Sequence, residues 1–374
     1  MHPDPLSWLC GLPDRQGTTL FLRSPEHDGE TQDSTDLDLL AFDAVDEICV
    51  ERLWPPSGPP SLDLLRLPAA LLKQPERLAS FGLITHRLLT STLVTDPSGR
   101  GAPAQDRARE LCWEPAHQRA RLASFLEMAQ LTVREVGVSW SFPAQARFWL
   151  HMTHAACFAA MLDAAHRLCP NVYTRPFLRL AELEALVGTA LVEPMIDTLQ
   201  LGDDPAALEL PLREMQHLVA QRCAEPAWPA TIGDGTRAEY RYWIATGEVQ
   251  TRINAAREMV ARGSRAGAVF YLRYCAYSLA RVAMIHQRVA EGSRLALSFI
   301  RPEREVGPDL LAHHPDLYAL LNKVLAGPQK VTLDQVHCAL AWVQQLRGVT
   351  QRWLTQNDLG FDGLPDWQPH RLPG

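Results

Sequence analysis

The sequence predicts an α+β fold, with a small N-terminal α/β domain and a large all-helical region behind it. Three observations carry this reading. Up to about residue 100, short apolar or β-branched runs alternate with polar loops. From about Asp106 onward, apolar residues recur at spacings of three and four. At 374 residues, the chain is longer than one core usually serves. The expected divisions are 1–103 for the α/β domain, 104–225 and 236–357 for two helical segments that can form one domain, and 358–374 for an irregular tail rich in Pro and Gly.

In chain order, "TTLFLRS" (Thr18 to Ser24) reads as a strand, followed by the polar loop "PEHDGETQDST". "DLDLLAFD" is the next strand, and "AVDEICVERLW" after it is less regular. The break "PPSGPP" leads into the strand "SLDLLRLP". "LLKQPERLASFGLITHRLL" has helical spacing interrupted near Pro75, and "STLVTDPSGR" is a strand ending in a turn. "RARLASFLEMAQLTVREV" begins the helical region. "PAQARFWLHMTHAACFAAMLDAAHRLC" is apolar nearly all round, which predicts a central buried helix. Further helices are expected in "RPFLRLAELEALVGTALVEPMIDTLQL" and "PAALELPLREMQHLVAQRC". After a break at Ala224 to Thr236 come "EYRYWIATGEVQTRINAAREMVAR", "RAGAVFYLRYCAYSLARVAMIHQRVAEG" and "LDQVHCALAWVQQLRGVTQRWL".

The formal net charge of −7, with no basic block, argues against a nucleic-acid binder. The eight cysteines contain no C-x-x-C pair and sit mostly in apolar stretches, as Cys157 and Cys275 do, so buried free thiols in a reducing compartment are expected. No stretch of 18 or more apolar residues is present and the N-terminus does not read as a signal peptide, so the expectation is a cytoplasmic protein with no membrane partner.

The chemistry is concentrated in "DSTDLDLLAF". Residues two apart on a strand share a face, so Asp36 and Asp38 point one way and Leu37 and Leu39 the other. Two carboxylates on one face repel unless a cation or proton lies between them, and Mg2+ takes such oxygen ligands together with phosphates and water. A D-x-D alone also fits solvated aspartates at a strand end. Asp63 adds a third carboxylate in a strand of the same character, and it completes a cluster if the two strands pair. Ser24 and the polar loop behind it offer a hydroxyl and N–H groups to phosphate oxygens.

The stretch "LFLRSPEHDGETQDSTDLDLLAF" resembles the signature of the nucleotidyltransferase superfamily that includes DNA polymerase β: an apolar strand, Gly-Ser, a polar loop, D-x-D, and a third acid on a later strand. Ser24, Asp36, Asp38 and Asp63 match it, over roughly residues 15 to 100. "LVTDPSGR" resembles the closing strand and turn of the aminoglycoside-type branch, and the helical region resembles the bundles attached to those enzymes. The chain departs at Arg23, which stands where the family has glycine; its side chain can contact phosphate or remodel the loop.

The resemblance implies a Mg2+-dependent transfer of an NMP, AMP from ATP first, to a hydroxyl or phosphate of a small polar acceptor with release of pyrophosphate. Asp36, Asp38 and Asp63 would be the metal ligands and catalytic acids, with Arg23 and Ser24 on the nucleotide. The base would be Asp63, or an acid of the first helical segment such as Glu127 or Glu135, for both of which an exposed helical position is the simpler reading. Acceptors of other classes are protein or tRNA, and a non-catalytic regulator that keeps the fold is the third reading.

Three further groupings read more simply as structure. "RVAMIH" (Arg281 to His286) resembles the R-x4-H of HEPN ribonuclease bundles, with Val282 where those carry a polar residue. His151 and His154 lie three apart on one helical face, a metal pair lacking a third ligand. The aromatics from Phe270 to Tyr277 are expected to fill a core.

Overall fold

The computed structural model describes residues 4–23, 36–56, 60–138, 142–168, 179–187, 196–197, 199–230, 232–245, 247–292, 306–327 and 331–359. The chain divides into two compact units: Met1–Leu122, His166–Pro170 and Ile232–Tyr242 in the first, and Ala123–Ala165, Asn171–Thr231 and Trp243–Gly374 in the second.

The first unit is built on one sheet with strands β1 (Thr19–Arg23), β2 (Asp36–Asp43), β3 (Cys49–Leu53), β4 (Ser61–Pro68) and β5 (Ser91–Thr95). Their order is β3-β4-β2-β1-β5. β2 and β4 run parallel and the other neighbours are antiparallel, so the sheet is mixed. Helix α1 (Pro5–Cys10) precedes it, α2 (Pro75–Ser80) and α3 (Gly82–Leu89) lie between β4 and β5, and α4 (Gly101–Leu111) follows.

Both faces of the sheet are covered, by alternate residues of each strand. Phe21, Leu40, Phe42, Leu65 and Leu67 face one core with Leu78, Ile84, Leu88 and Ala108 of α2, α3 and α4. Leu20, Leu39, Ala41, Leu62 and Leu64 face the other with Leu9 of α1. On that second face a four-membered ion network closes the end of the sheet. Asp43 accepts from Arg15 at 3.0 Å and Arg66 at 2.9 Å, and Glu51 accepts from Arg15 at 2.5 Å.

The expected strands in "TTLFLRS", "DLDLLAFD", "SLDLLRLP" and "STLVT" are present; two details differ. The less regular segment contains β3, an edge strand. Its alternation is obscured because Glu51 and Arg52 place charges on opposite faces of the sheet, each held by an ion pair. The interruption near Pro75 is present, since a 3-10 turn (Ala69–Lys73) ends before it and Pro75 begins α2, where its missing N–H costs nothing; the second difference is a further break at Phe81.

The turn after β5 is organised by Asp96. Its carboxylate accepts from the amide of Gly101 at 2.7 Å, the first residue of α4, and from Thr19 and Ser98 hydroxyls at 3.1 Å. Against the cost of desolvation, these donors hold its carboxyl below the usual range. Asp96→Ala is expected to lower stability by about 1–2 kcal/mol, read by urea denaturation, because the first amides of α4 lose their acceptor.

The second unit is helical. Its described elements are α5 (Pro115–Val138, begun in the first unit), α6 (Pro143–Ala164), α7 (Leu180–Val187), α8 (Ala206–Arg222), α10 (Glu248–Ala261), α11 (Arg265–Ala290), α12 (Val306–His313), α13 (Pro315–Ala326) and α14 (Leu333–Gln356). Helix α9 (Asp234–Ile244) lies almost wholly in the first unit. The stretch read as one helix from Glu239 to Arg262 is therefore two, α9 and α10, parted at Gly247, whose φ of 98° is the left-handed conformation open to glycine. Every residue of α6 from Ala144 to Ala164 except Met152 is buried, so it is the expected central helix. α14 packs along α6, and α11 packs against α8, α10 and α13. No described helix is long and apolar enough to cross a membrane.

Candidate functional site

The strand register sets four charged residues in one row across the sheet. Asp38 of β2 is the parallel partner of Asp63 of β4. Arg52 of β3 is the antiparallel partner of Asp63. On the other side, Leu22 pairs with Leu39, and one further step sets Arg23 opposite Asp38. Across five strands the row reads Arg52, Asp63, Asp38, Arg23, Ser91. It lies on the face carrying Phe21, Leu40 and Leu65, at the end where β2 and β4 begin.

Each carboxylate is matched to an arginine. Arg23 forms an ion pair with Asp38. Arg52 donates to Asp63 at 3.1 Å, to the Ser61 hydroxyl at 2.8 Å and to the Tyr242 hydroxyl at 2.9 Å. Tyr242 in turn donates to Asp63 at 3.0 Å, and the Arg52 guanidinium lies 5.3 Å from its ring centroid. The arginine side chains are buried, at 5% and 0% exposure, whereas Asp38 and Asp63 keep 22% and 19% open. The four formal charges cancel, and the aspartates are the more open members of the row.

Tyr242 reaches the row on α9. That helix is fixed at its start by Glu47, which accepts from the Gly235 amide at 2.5 Å. A Cβ at Gly235 would lie 2.8 Å from the Ile48 carbonyl oxygen, so glycine lets the helix end approach β3 closely.

Of the sequence-predicted residues, Asp38, Asp63 and Arg23 therefore come together. Asp36 is described by its backbone alone; it is two residues before Asp38 in β2 and pairs with Ser61. Ser24 lies outside the described residues. Glu127 is exposed, as expected of a helical surface, but Glu135 is buried at 7%. Arg52 and Tyr242 were not anticipated. The signal for Arg52 was an arginine inside a short β-like run; Tyr242 lies 179 residues from Asp63 and gave none.

The other groupings are mostly buried among the described residues. His151 and His154 are fully buried, with ring nitrogens 3.1 Å and 2.6 Å from the carbonyls of Leu199 and Leu150. No described cluster of three His, Cys, Asp or Glu has metal-binding geometry. Arg281 is buried at 7%, and burial lowers the pKa of His286. Cys157 and Cys275 are buried free thiols, and burial pushes both pKa values up. Phe270, Tyr271 and Tyr277 are buried, with the Tyr277 ring stacked on Phe148 at 4.6 Å.

The two histidines predict an acid limb of stability. Burial, reinforced by Arg273 and Arg147, lowers the pKa of His151 well below its ordinary value, and burial brings His154 to about 4. Both are neutral in the fold and gain a proton on unfolding below pH ~6.5. Their contribution is full above that pH and is lost as pH falls toward 4, by about 3 kcal/mol for His154. Urea midpoints measured from pH 7 to 4 should fall steeply in the natural chain and less steeply in His154→Gln.

No family model, no curated protein and no solved structure matches the chain.

Proposed function

We propose that the chain is a Mg2+-dependent nucleotidyltransferase. It would transfer an NMP, in the first instance AMP from ATP, to a hydroxyl or phosphate of a small polar acceptor. The observation that carries this reading is the register that makes Asp38 and Asp63 direct neighbours on parallel strands, with Asp36 two residues earlier in the same strand. A D-x-D and a later acid, distant in sequence, thereby meet at one end of one sheet face. Oxygen donors that are partly open to solvent suit a hard cation.

In this reading Asp36, Asp38 and Asp63 would hold Mg2+, which when bound supplies positive charge to the phosphate oxygens. The acceptor oxygen forms a bond to the α-phosphorus, a hydroxyl acceptor giving its proton to Asp63 as the base; the bond to the bridging oxygen breaks, and pyrophosphate leaves with that electron pair. The chain contributes positioning and fixed charge. Arg52 and Tyr242 hold the Asp63 carboxylate in one orientation, so it needs no rearrangement when substrate arrives. Arg23 brings a guanidinium to the row, suited to phosphate oxygens. The acidic net charge of −7 favours a cationic small acceptor over nucleic acid.

The pairing of both carboxylates with arginines favours one second reading, a non-catalytic regulator in which the row is a structural ion ladder. The test is incubation with Mg2+ and labelled ATP, CTP, GTP or UTP. Pyrophosphate release is followed against a panel of small hydroxyl compounds, proteins and tRNA, with Asp36→Asn/Asp38→Asn as control. Release that is lost in the control supports the transferase. Release that persists in the control rejects the carboxylates' role, and no release together with no nucleotide binding supports the regulator.

A further inference from the structure

The two arginines of the row engage different carboxylates. Arg52 is tied to Ser61, Asp63 and Tyr242 on β4 and α9, stacks against a ring, and has no exposed side-chain surface. It is a fixture of the sheet. Arg23 ends β1, directly before Ser24, and its guanidinium rests on Asp38, the carboxylate that the D-x-D would offer to a metal. An oxygen engaged by a guanidinium cannot give the same lone pair to a metal ion. Without a counter-cation, Asp38 would sit beside Asp63 at the spacing of neighbouring strands, about 4.8 Å, and the two would repel.

Resting on the nucleotidyltransferase reading, we propose that Arg23 is a built-in counter-cation that competes with the divalent metal for Asp38. It leaves the carboxylate when a triphosphate offers it a better anionic partner. Metal binding is thereby made conditional on nucleotide: the ligand-free site is closed by its own guanidinium, and the triphosphate both draws Arg23 away and brings the metal. This assigns a purpose to the departure from glycine at position 23. A residue with no cationic side chain at that place would leave Asp38 open to metal alone, whereas arginine keeps it neutralised until both components are present. The step is an exchange of ionic partners, and no covalent bond changes.

The test reads metal binding and no activity. Mn2+ alone is titrated into the full chain and followed by the loss of the free-ion electron paramagnetic resonance signal, for the natural protein, Arg23→Gln and Arg23→Lys. Far-UV circular dichroism of each gives the state of the fold. Removing a charge-assisted partner from the carboxylate should tighten Mn2+ binding about tenfold or more in Arg23→Gln. Arg23→Lys, with a single-point contact in place of the fork, should fall between the two. Asp38→Asn in the Arg23→Gln background should abolish the gain. Equal or weaker Mn2+ affinity in Arg23→Gln would overturn the proposal, as would a gain that survives Asp38→Asn. Should Arg23→Gln fail to fold, the milder Arg23→Lys decides by the same comparison with the natural chain. The result separates from the reading it rests on. Tighter Mn2+ binding with no pyrophosphate release from any NTP would sink the transferase and leave the competition between Arg23 and metal at Asp38 standing. Pyrophosphate release with no change in Mn2+ affinity would do the reverse.

Discussion

Asp38→Asn should cut pyrophosphate release by at least 10²- to 10³-fold, roughly 3–4 kcal/mol at the transition state, while the fold survives. Asparagine has nearly the same shape and keeps a carbonyl oxygen for Arg23, so the cross-strand contact is weakened and not removed. The cost to stability is the difference between a charge-assisted and a neutral hydrogen bond, about 1 kcal/mol. Asp38 is the cleaner probe of the two described carboxylates. Asp63→Asn would also strip the charge partner from Arg52, whose side chain is wholly buried, and so would mix a folding defect with a chemical one. Thermal denaturation separates the effects. A large loss of release with a small shift in midpoint supports a chemical role for the row. Undiminished release in a folded Asp38→Asn protein would reject it. A variant of Tyr242 gives a graded comparison. Tyr242→Phe keeps the ring against Arg52 but removes the donor to Asp63, so it should slow release by less than Asp38→Asn does.

The sheet was legible because its strands carry the signal that sheets impose. β2 and β4 are nearly continuous apolar runs, as strands covered on both faces must be, and β2 and β4 are the parallel pair. The same reading exposed the aspartates, since a charge in such a run stands out against its neighbours. It also reached their juxtaposition, conditional on the pairing of those two strands. What it missed shares one cause: a buried charge looks like a solvent-facing one until its partner is known. Arg52 and Glu51 made β3 look irregular, although each is held by an ion pair. Arg23 was read as a departure from glycine that could meet phosphate; its place opposite Asp38 follows from the β1–β2 register, which no local pattern specifies. Tyr242 belongs to a helix of the first unit that lies 179 residues along the chain from Asp63, and short-range periodicity contains no such information. In the helical region, α12 and α13 were passed over because Pro308, Pro315 and paired histidines break the apolar spacing; Pro315 in fact opens α13.

The same hidden-partner effect is strongest inside the second unit, where Arg273→Met should lower stability by about 2–4 kcal/mol, or roughly 5–15 °C in Tm. Arg273 has no exposed surface. It donates to the carbonyls of Leu199 at 3.0 Å and Val324 at 3.4 Å, and to Asp203 at 2.7 Å. Val324 is in the last turn of α13, so the guanidinium serves as a buried cap for that helix end. Gly327, just beyond, has a φ of 69°, and a Cβ there would lie 2.0 Å from Asp203 Oδ2, which shows how closely the carboxylate is tucked under the chain. Methionine fills most of the volume but removes the guanidinium from Val324 and Asp203 and leaves the Leu199 carbonyl with the His151 ring. Two effects oppose the loss. Asp203 keeps 15% of its side chain exposed and can recover water, and removing one cation relieves Arg147, whose pKa is lowered by burial and by Arg273 beside it. Those gains place the net effect below the 3–5 kcal/mol that breaking a fully buried pair costs. Burial also brings Arg273 itself to a pKa of about 10, opposed by Asp203, so the charge is held at a cost in the natural protein. A neutral or stabilising Arg273→Met would mean that repulsion within the Arg147–Arg273 pair outweighs the caps. Recovery of part of the loss in Arg273→Met/Asp203→Leu would assign the remainder to the carboxylate left behind.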